Sequence, residues 1–110
     1  MKLPFELKQR NLTLPEAVAN DIRERAERLD HFFDKIMRCR VTVEGPGKHH
    51  AQGRHKVQID LTVPGAEIVV NKQEADTLDL ALKGAFEATA RRLEDHVRRI
   101  RDHVKTHDQR

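Results

Sequence analysis

The residues in this chain whose types and spacing could do chemistry are its histidines and its arginines. Of the seven histidines, His49, His50 and His55 lie in or beside one loop, and His103 and His107 stand one helical turn apart. Two imidazoles at i,i+4 can chelate a metal, but no thiol or carboxylate completes a set and no His-Glu-x-x-His occurs, so no metal site is expected. Serine is absent, which removes a serine nucleophile. No Gly-x-x-x-x-Gly-Lys or Gly-x-Gly-x-x-Gly loop is present to cradle a phosphate. The single cysteine, Cys39, alternates with Met37, Val41 and Val43, the placing of a buried structural thiol. Catalysis and cofactor chemistry therefore have no foothold, and a non-enzymatic protein is expected.

The cations offer binding instead. Arg25 and Arg28 are three apart on one flank of a first helix, and Lys35 follows at its end. On a longer last helix Arg92 and Arg99 share a flank while Arg91 and Arg98 share the outer face. Some of these charges face carboxylates at i,i+4: Arg91 faces Asp95, Glu94 faces Arg98, Asp95 faces Arg99 and Arg98 faces Asp102, each pair worth a few tenths of a kcal/mol. Arg25, Arg28, Lys35, Arg92 and the loop cations Lys48, Arg54 and Lys56 have fewer obvious partners. A groove lined by the flanks of two helices could follow a phosphate backbone, and guanidinium forks suit phosphate oxygens. Trp and Tyr are absent, and Phe5, Phe32, Phe33 and Phe86 fall on apolar faces, which leaves no base-stacking sheet. Asp76-Thr77-Leu78-Asp79 would repel phosphate where a double-stranded RNA-binding domain places lysines. Shape and backbone contacts to structured RNA are what these residues permit.

The elements that must position them read as β-α-β-β-β-α. Leu3, Phe5 and Leu7 alternate as a first strand with Pro4 at its start. Thr13-Leu14-Pro15-Glu16 has the form of a capping box, and Val18, Ile22, Ala26, Leu29 and Phe33 give the first helix its apolar face, with Phe32 on its shoulder. Met37, Cys39, Val41 and Val43 form the inward set of a second strand, and Gly45-Pro46-Gly47 opens a loop running to Arg54. Val57, Ile59, Leu61 and Val63 line a third strand. Val63-Pro64-Gly65-Ala66 is a type II turn into a fourth strand carrying Ile68 and Val70, from which Asn71 to Ala75 lead onward. The last helix spans about 76–106, with Asp76 as its N-cap and a stripe of Leu78, Leu82, Ala85, Phe86, Thr89, Leu93, Val97, Ile100 and Val104. At ~1.5 Å per residue it reaches on the order of 45 Å and projects beyond the body at its C-terminal end. The expected fold is α+β: a two-layer sandwich of a four-stranded sheet with two helices packed on one face, the first two strands parallel and the rest an antiparallel meander.

Composition sets the frame. The 110 residues suit a single domain over 1–110, and charged residues make up 35% with a net +3, so partners depend on where charges sit rather than on their sum. No run approaches the ~20 apolar residues of a membrane span, and a cytoplasmic protein without a membrane partner is expected.

Arg28-Leu29-Asp30-His31-Phe32-Phe33-Asp34-Lys35-Ile36, the meander, and Asp76-Thr77-Leu78-Asp79-Leu80-Ala81 followed by Ala90-Arg91-Arg92-Leu93 together resemble the ribosome hibernation promoting factor and ribosome-associated inhibitor A family. The resemblance covers nearly the whole chain. It implies the β-α-β-β-β-α fold and a translation-silencing factor of stress or stationary phase that binds the small ribosomal subunit and its rRNA and occludes the mRNA/tRNA path. It implies rRNA contacts from Arg25, Arg28 and Lys35 on the first helix and from Arg91 and Arg99 on the last. Ala88, Asp95 and Val97 stand where that family's last helix is usually lysine-rich. The chain also ends without the C-terminal dimerisation domain of long-form members, which implies the short form. The competing reading is a protein-interaction module, whose overhanging Val97, Ile100 and Val104 pair with a partner or with a second copy to form a homodimer.

Overall fold

The computed structural model describes residues 4–46 and 54–108, with side chains except those of Lys72 and 103–108. Its order is β1 (Phe5–Arg10), α1 (Glu16–Phe32), β2 (Arg38–Glu44), β3 (His55–Val63), β4 (Ala66–Ala75) and α2 (Leu78–Asp108). The four strands form one sheet in the order β1-β2-β3-β4. β1 runs parallel to β2, with Phe5 opposite Cys39 and Leu7 opposite Val41. β2 with β3 and β3 with β4 are antiparallel. This is the α+β sandwich expected from the residues.

Alternation decides which face of the sheet is dry. Cys39, Val41, Val43, Val57, Ile59 and Leu61 are completely buried, and they share one core with Ile22, Ala26 and Leu29 of α1 and with Leu82, Ala85, Phe86 and Leu93 of α2. Both helices therefore cover the same face. α1 runs antiparallel to β1, and α2 antiparallel to β4, so the strand directions make the two helices parallel and put their C-termini at the same end. Thr89 is the buried polar side chain of the core; its hydroxyl donates to the Ala85 carbonyl at 2.8 Å, which satisfies it within its own helix.

Local chemistry differs from the expectation at several junctions. The Thr13 capping box does not form: Pro15 occupies the N-cap of α1 without a side-chain cap, and its carbonyl accepts from the Val18 and Ala19 amides, both at 3.0 Å. Thr77, not Asp76, caps α2, its hydroxyl accepting from the Leu80 amide at 3.2 Å. Asp76 is turned outward to Arg54 at 3.3 Å. Asn71 to Ala75 belong to β4, which a register shift opposite Val57 and Ile59 carries past the expected strand end; such a bulge bends the strand while pairing continues. Met37 lies just before β2 and is 57% exposed rather than inward. Gly65 sits at φ 78° between Val63 and its partner Ala66, the left-handed position that a type II turn demands of its third residue.

α2 has 31 residues, so it is about 46 Å long at ~1.5 Å per residue, in a molecule measuring 61 × 25 × 18 Å. Val97, in the second half of the helix, still packs against the core, while Ile100 is exposed.

Candidate nucleic-acid interface

Two surfaces carry the cations, and they differ in how those cations are spent. On the open face of the sheet, Arg38 and Arg40 both reach Glu6 Oε1, at 3.1 and 3.2 Å. Lys8 stands 3.9 Å from the same carboxylate, and Lys56 pairs with Glu74 at 3.5 Å across β3 and β4. The Arg38 hydrogen bond holds the Glu6 carboxyl below its usual range, with Arg40 adding to the effect. Shallow polar depressions on this face are lined by both signs: Arg10, Glu44 and Lys56 in one, Arg38, Arg40, Asp60 and Glu67 in another. The sheet face is thus a mosaic of opposite charges that largely neutralise one another.

The helix layer is different. Between α1 and α2 lies a groove of about 460 Å³ lined by Arg25, Arg28, Leu29, Lys83, Phe86, Glu87 and Ala90. Farther toward the helix C-termini a second groove, also about 460 Å³, is lined by His31, Phe32, Phe33, Asp34, Val97, Ile100 and Arg101. Phe33 closes its inner wall by an edge-on contact with His96, ring centroids 6.3 Å apart. From Asp76 to Ala90 the sequence carries Lys83 against Asp76, Asp79 and Glu87; from Arg91 to Asp102 it carries Arg91, Arg92, Arg98, Arg99 and Arg101 against Glu94, Asp95 and Asp102. Negative charge therefore collects at the N-terminal end of α2 and positive charge at its C-terminal end, which also suits the helix dipole.

The ten cations expected from the sequence sort into groups. Arg28 lines the first groove and makes no ion pair among the described residues; Lys35, Arg91 and Arg99 are exposed and equally unpaired. Arg25 also lines that groove, but it bridges Asp21 at 3.0 Å and Asp79 at 3.5 Å, tying α1 to the start of α2. Arg54 and Lys56 are neutralised by Asp76 and Glu74. These three are not the free cations that sequence spacing suggested, because their partners lie on other elements. Arg98 sits 3.7 Å from Asp95 at i,i+3. Arg92 points away from α1 and donates to the Val69 carbonyl, covering part of the free edge of β4; it and Arg28 do not share a groove. Lys48 lies outside the described residues, as do the side chains of His103, Val104 and His107. Lys83 and Arg101, which the sequence reading does not single out, each line an interhelical groove; helical spacing alone puts both on the α1-facing flank of α2. Phe32 is 52% exposed, so one aromatic ring does face solvent after all. Among the described residues no three His, Cys, Asp or Glu side chains converge as a metal site, and no described helix is long and apolar enough to cross a membrane.

The fold defines a class: a two-layer α+β domain with a four-stranded sheet of mixed charge under two parallel helices. Residues 5–101 match the model of one family, and the chain belongs to it: the Sigma 54 modulation protein / S30EA ribosomal protein family. It is 31% identical over 72 residues to the ribosome hibernation promotion factor of Deinococcus radiodurans, an alignment covering 66% of this chain and 38% of that relative's length. Among solved structures it is similar to the N-terminal domain of Thermus thermophilus protein Y, at 24% identity and TM-score 0.67, covering 89% of this chain and 98% of that one. A ribosomal subunit interface protein from Coxiella burnetii superposes with TM-score 0.73 at 13% identity, covering 86% of this chain and 97% of that one. These likenesses to solved structures concern the fold.

Proposed function

We propose that this domain is a ribosome-associated hibernation factor that binds rRNA of the small subunit in the cytoplasm, occludes the mRNA/tRNA path and silences translation under stress without catalysing a reaction. The observation that carries the reading is the separation of charge: Lys8, Arg38, Arg40 and Lys56 of the sheet face carboxylates, while Arg28, Lys35, Arg91, Arg99 and Arg101 make no ion pair among the described residues and stand on the helix layer toward its C-terminal end. Unpaired guanidinium and ammonium groups are what a folded RNA backbone attracts. The family membership and the name of the Deinococcus relative support the ribosomal assignment. The test is co-sedimentation with ribosomes on sucrose gradients at low and high salt. Binding is expected at low salt, to be lost as salt rises and to be lost at low salt in an Arg28→Glu/Arg99→Glu variant. Absence of wild-type binding at low salt rejects the assignment.

Self-association through Val97, Ile100 and Val104 is the competing use of the projecting helix. Val97 packs against the core and Ile100 remains 41% exposed, so the described part of that stripe leaves a second copy less to hold than the sequence suggested. A mass that stays monomeric across concentration in light scattering excludes it.

A further inference from the structure

The groove at the C-terminal end of the helix layer combines an exposed aromatic ring with one unpaired cation in its lining, Arg101, and two more nearby in sequence. Phe32 lies at the last position of α1 and keeps 52% of its surface in water, and Ile100 across the groove keeps 41%. Arg101 lines the same groove, Lys35 follows Phe32 by three residues, and Arg28 precedes it by one helical turn; none of the three makes an ion pair among the described residues. Asp34 is the carboxylate in the lining and His31 its imidazole. Phe32 and Ile100 together leave a small apolar patch in water at the mouth of the groove. Around it stand Arg101 and His31 with Asp34 and the apolar Phe33, Val97 and Ile100, so a guanidinium that can hold a phosphate lies beside the ring.

We propose that this groove receives an unpaired nucleobase of the bound RNA, stacked against the Phe32 ring and backed by Ile100 and Val97, with Arg101, Lys35 and Arg28 on the flanking phosphates. The proposal rests on the rRNA reading and deepens it by adding a base contact to backbone contacts. An aromatic face accepts any base, because every base has a π-face, and neighbouring cations hold the strand. The groove volume of about 460 Å³ and its opening to solvent suit a planar group that enters edge-first from a splayed strand. An apolar protein segment would fill the same floor, yet it would leave three neighbouring cations without counter-charges, apart from Asp34. The charge pattern favours the polyanion.

The test uses Phe32→Ala, Phe32→Leu and Phe32→Tyr, all at an exposed position, with unchanged thermal melts as the control for folding. The probes are intact small subunits, protein-free small-subunit rRNA, and a short single-stranded oligoribonucleotide containing the fluorescent base 2-aminopurine. Tyr is expected to retain binding, while Ala and Leu each weaken it about ten-fold on both ribosomal probes, the order of one base–aromatic stack. Leu separates stacking from simple apolar cover. Wild type and Tyr are expected to quench 2-aminopurine, and Ala and Leu to leave it bright. Full binding by the Ala variant, or quenching unchanged by it, overturns the stacking site while leaving the ribosomal assignment intact. A loss confined to intact subunits, with naked rRNA and quenching unaffected, assigns the groove to a ribosomal protein and also overturns it. Wild-type protein that binds neither ribosomal probe removes the reading on which the proposal rests.

Discussion

The proposed ribosome binding predicts a salt dependence that separates cations free to meet phosphate from cations already neutralised within the fold. Arg28, Lys35, Lys83, Arg91, Arg99 and Arg101 stand on the helix layer without ion pairs among the described residues. Each phosphate neutralised releases counterions and adds about −0.7 to −0.9 to the slope of log K against log salt, so these six together give about −4 to −5. Arg28→Ala or Arg99→Ala should make the slope shallower by about one such step. Arg54→Ala and Lys56→Ala should leave it nearly unchanged, because Asp76 at 3.3 Å and Glu74 at 3.5 Å already balance those charges. Arg25→Ala breaks the bridge to Asp21 and Asp79, so its effect should appear as a lower melting temperature, the loss of partly exposed pairs costing about 0.2–1 kcal/mol each. The assay is fluorescence anisotropy of protein labelled at its N-terminal amine, titrated with small subunits over a range of potassium chloride concentrations. Equal changes of slope for Arg28→Ala and Lys56→Ala would refute the sorting of cations by their partners. A slope near zero for wild type would refute the phosphate contacts altogether.

Leu93 is completely buried between α2 and the sheet, so Leu93→Ala should lower stability by about 2–5 kcal/mol in urea unfolding, the range of core truncations that leave a cavity. Thr77→Ala removes the hydroxyl that accepts from the Leu80 amide and should cost about 1 kcal/mol. Asp76→Ala, which leaves that cap in place, should cost less in the same melts. The Cys39 thiol is completely buried, and burial raises its pKa from 9.0 to about 12, with the Asp60 charge adding to the rise. Because the folded value is the higher one, this group's contribution to stability is intact below about 9 and is lost as pH climbs toward 12. Native protein at pH 8 should therefore resist a disulfide reagent that reacts at once after unfolding, and rapid native modification would contradict the burial.

Much of the architecture was legible because periodicity records burial. Val57, Ile59, Leu61 and Val63 alternate and line the core, and Leu82, Phe86, Thr89 and Leu93 recur at helical steps and do the same. Boundaries were less legible, since competing caps differ by one residue. Thr77 and Asp76 are both good N-caps, and the ion pair with Arg54 draws Asp76 away. For the cations, sequence carries half the information. Sequence spacing reveals partners within one helix, but the Arg25–Asp79 and Lys56–Glu74 pairs join different elements and exist only once the chain has folded. Phe32 was misplaced for a related reason. α1 ends at Phe32, the chain leaves the helix axis at Phe33, and of two adjacent rings only Phe33 turns back to His96.

The uneven charge along α2 also bears on how the domain arrives. Arginines crowd the C-terminal half of α2, while Asp76 and Asp79 at its start are balanced by Arg54 and Arg25, so the free positive charge of this 61 Å body sits off-centre. Near a polyanion such a body feels torque before it feels contact, and its arginine end swings inward. The collisions that follow are already oriented, which shortens the search for the bound pose and makes the association rate, more than the net +3, sensitive to ionic strength. Moving charge between the two extremities without altering the total would slow capture while leaving composition and fold the same.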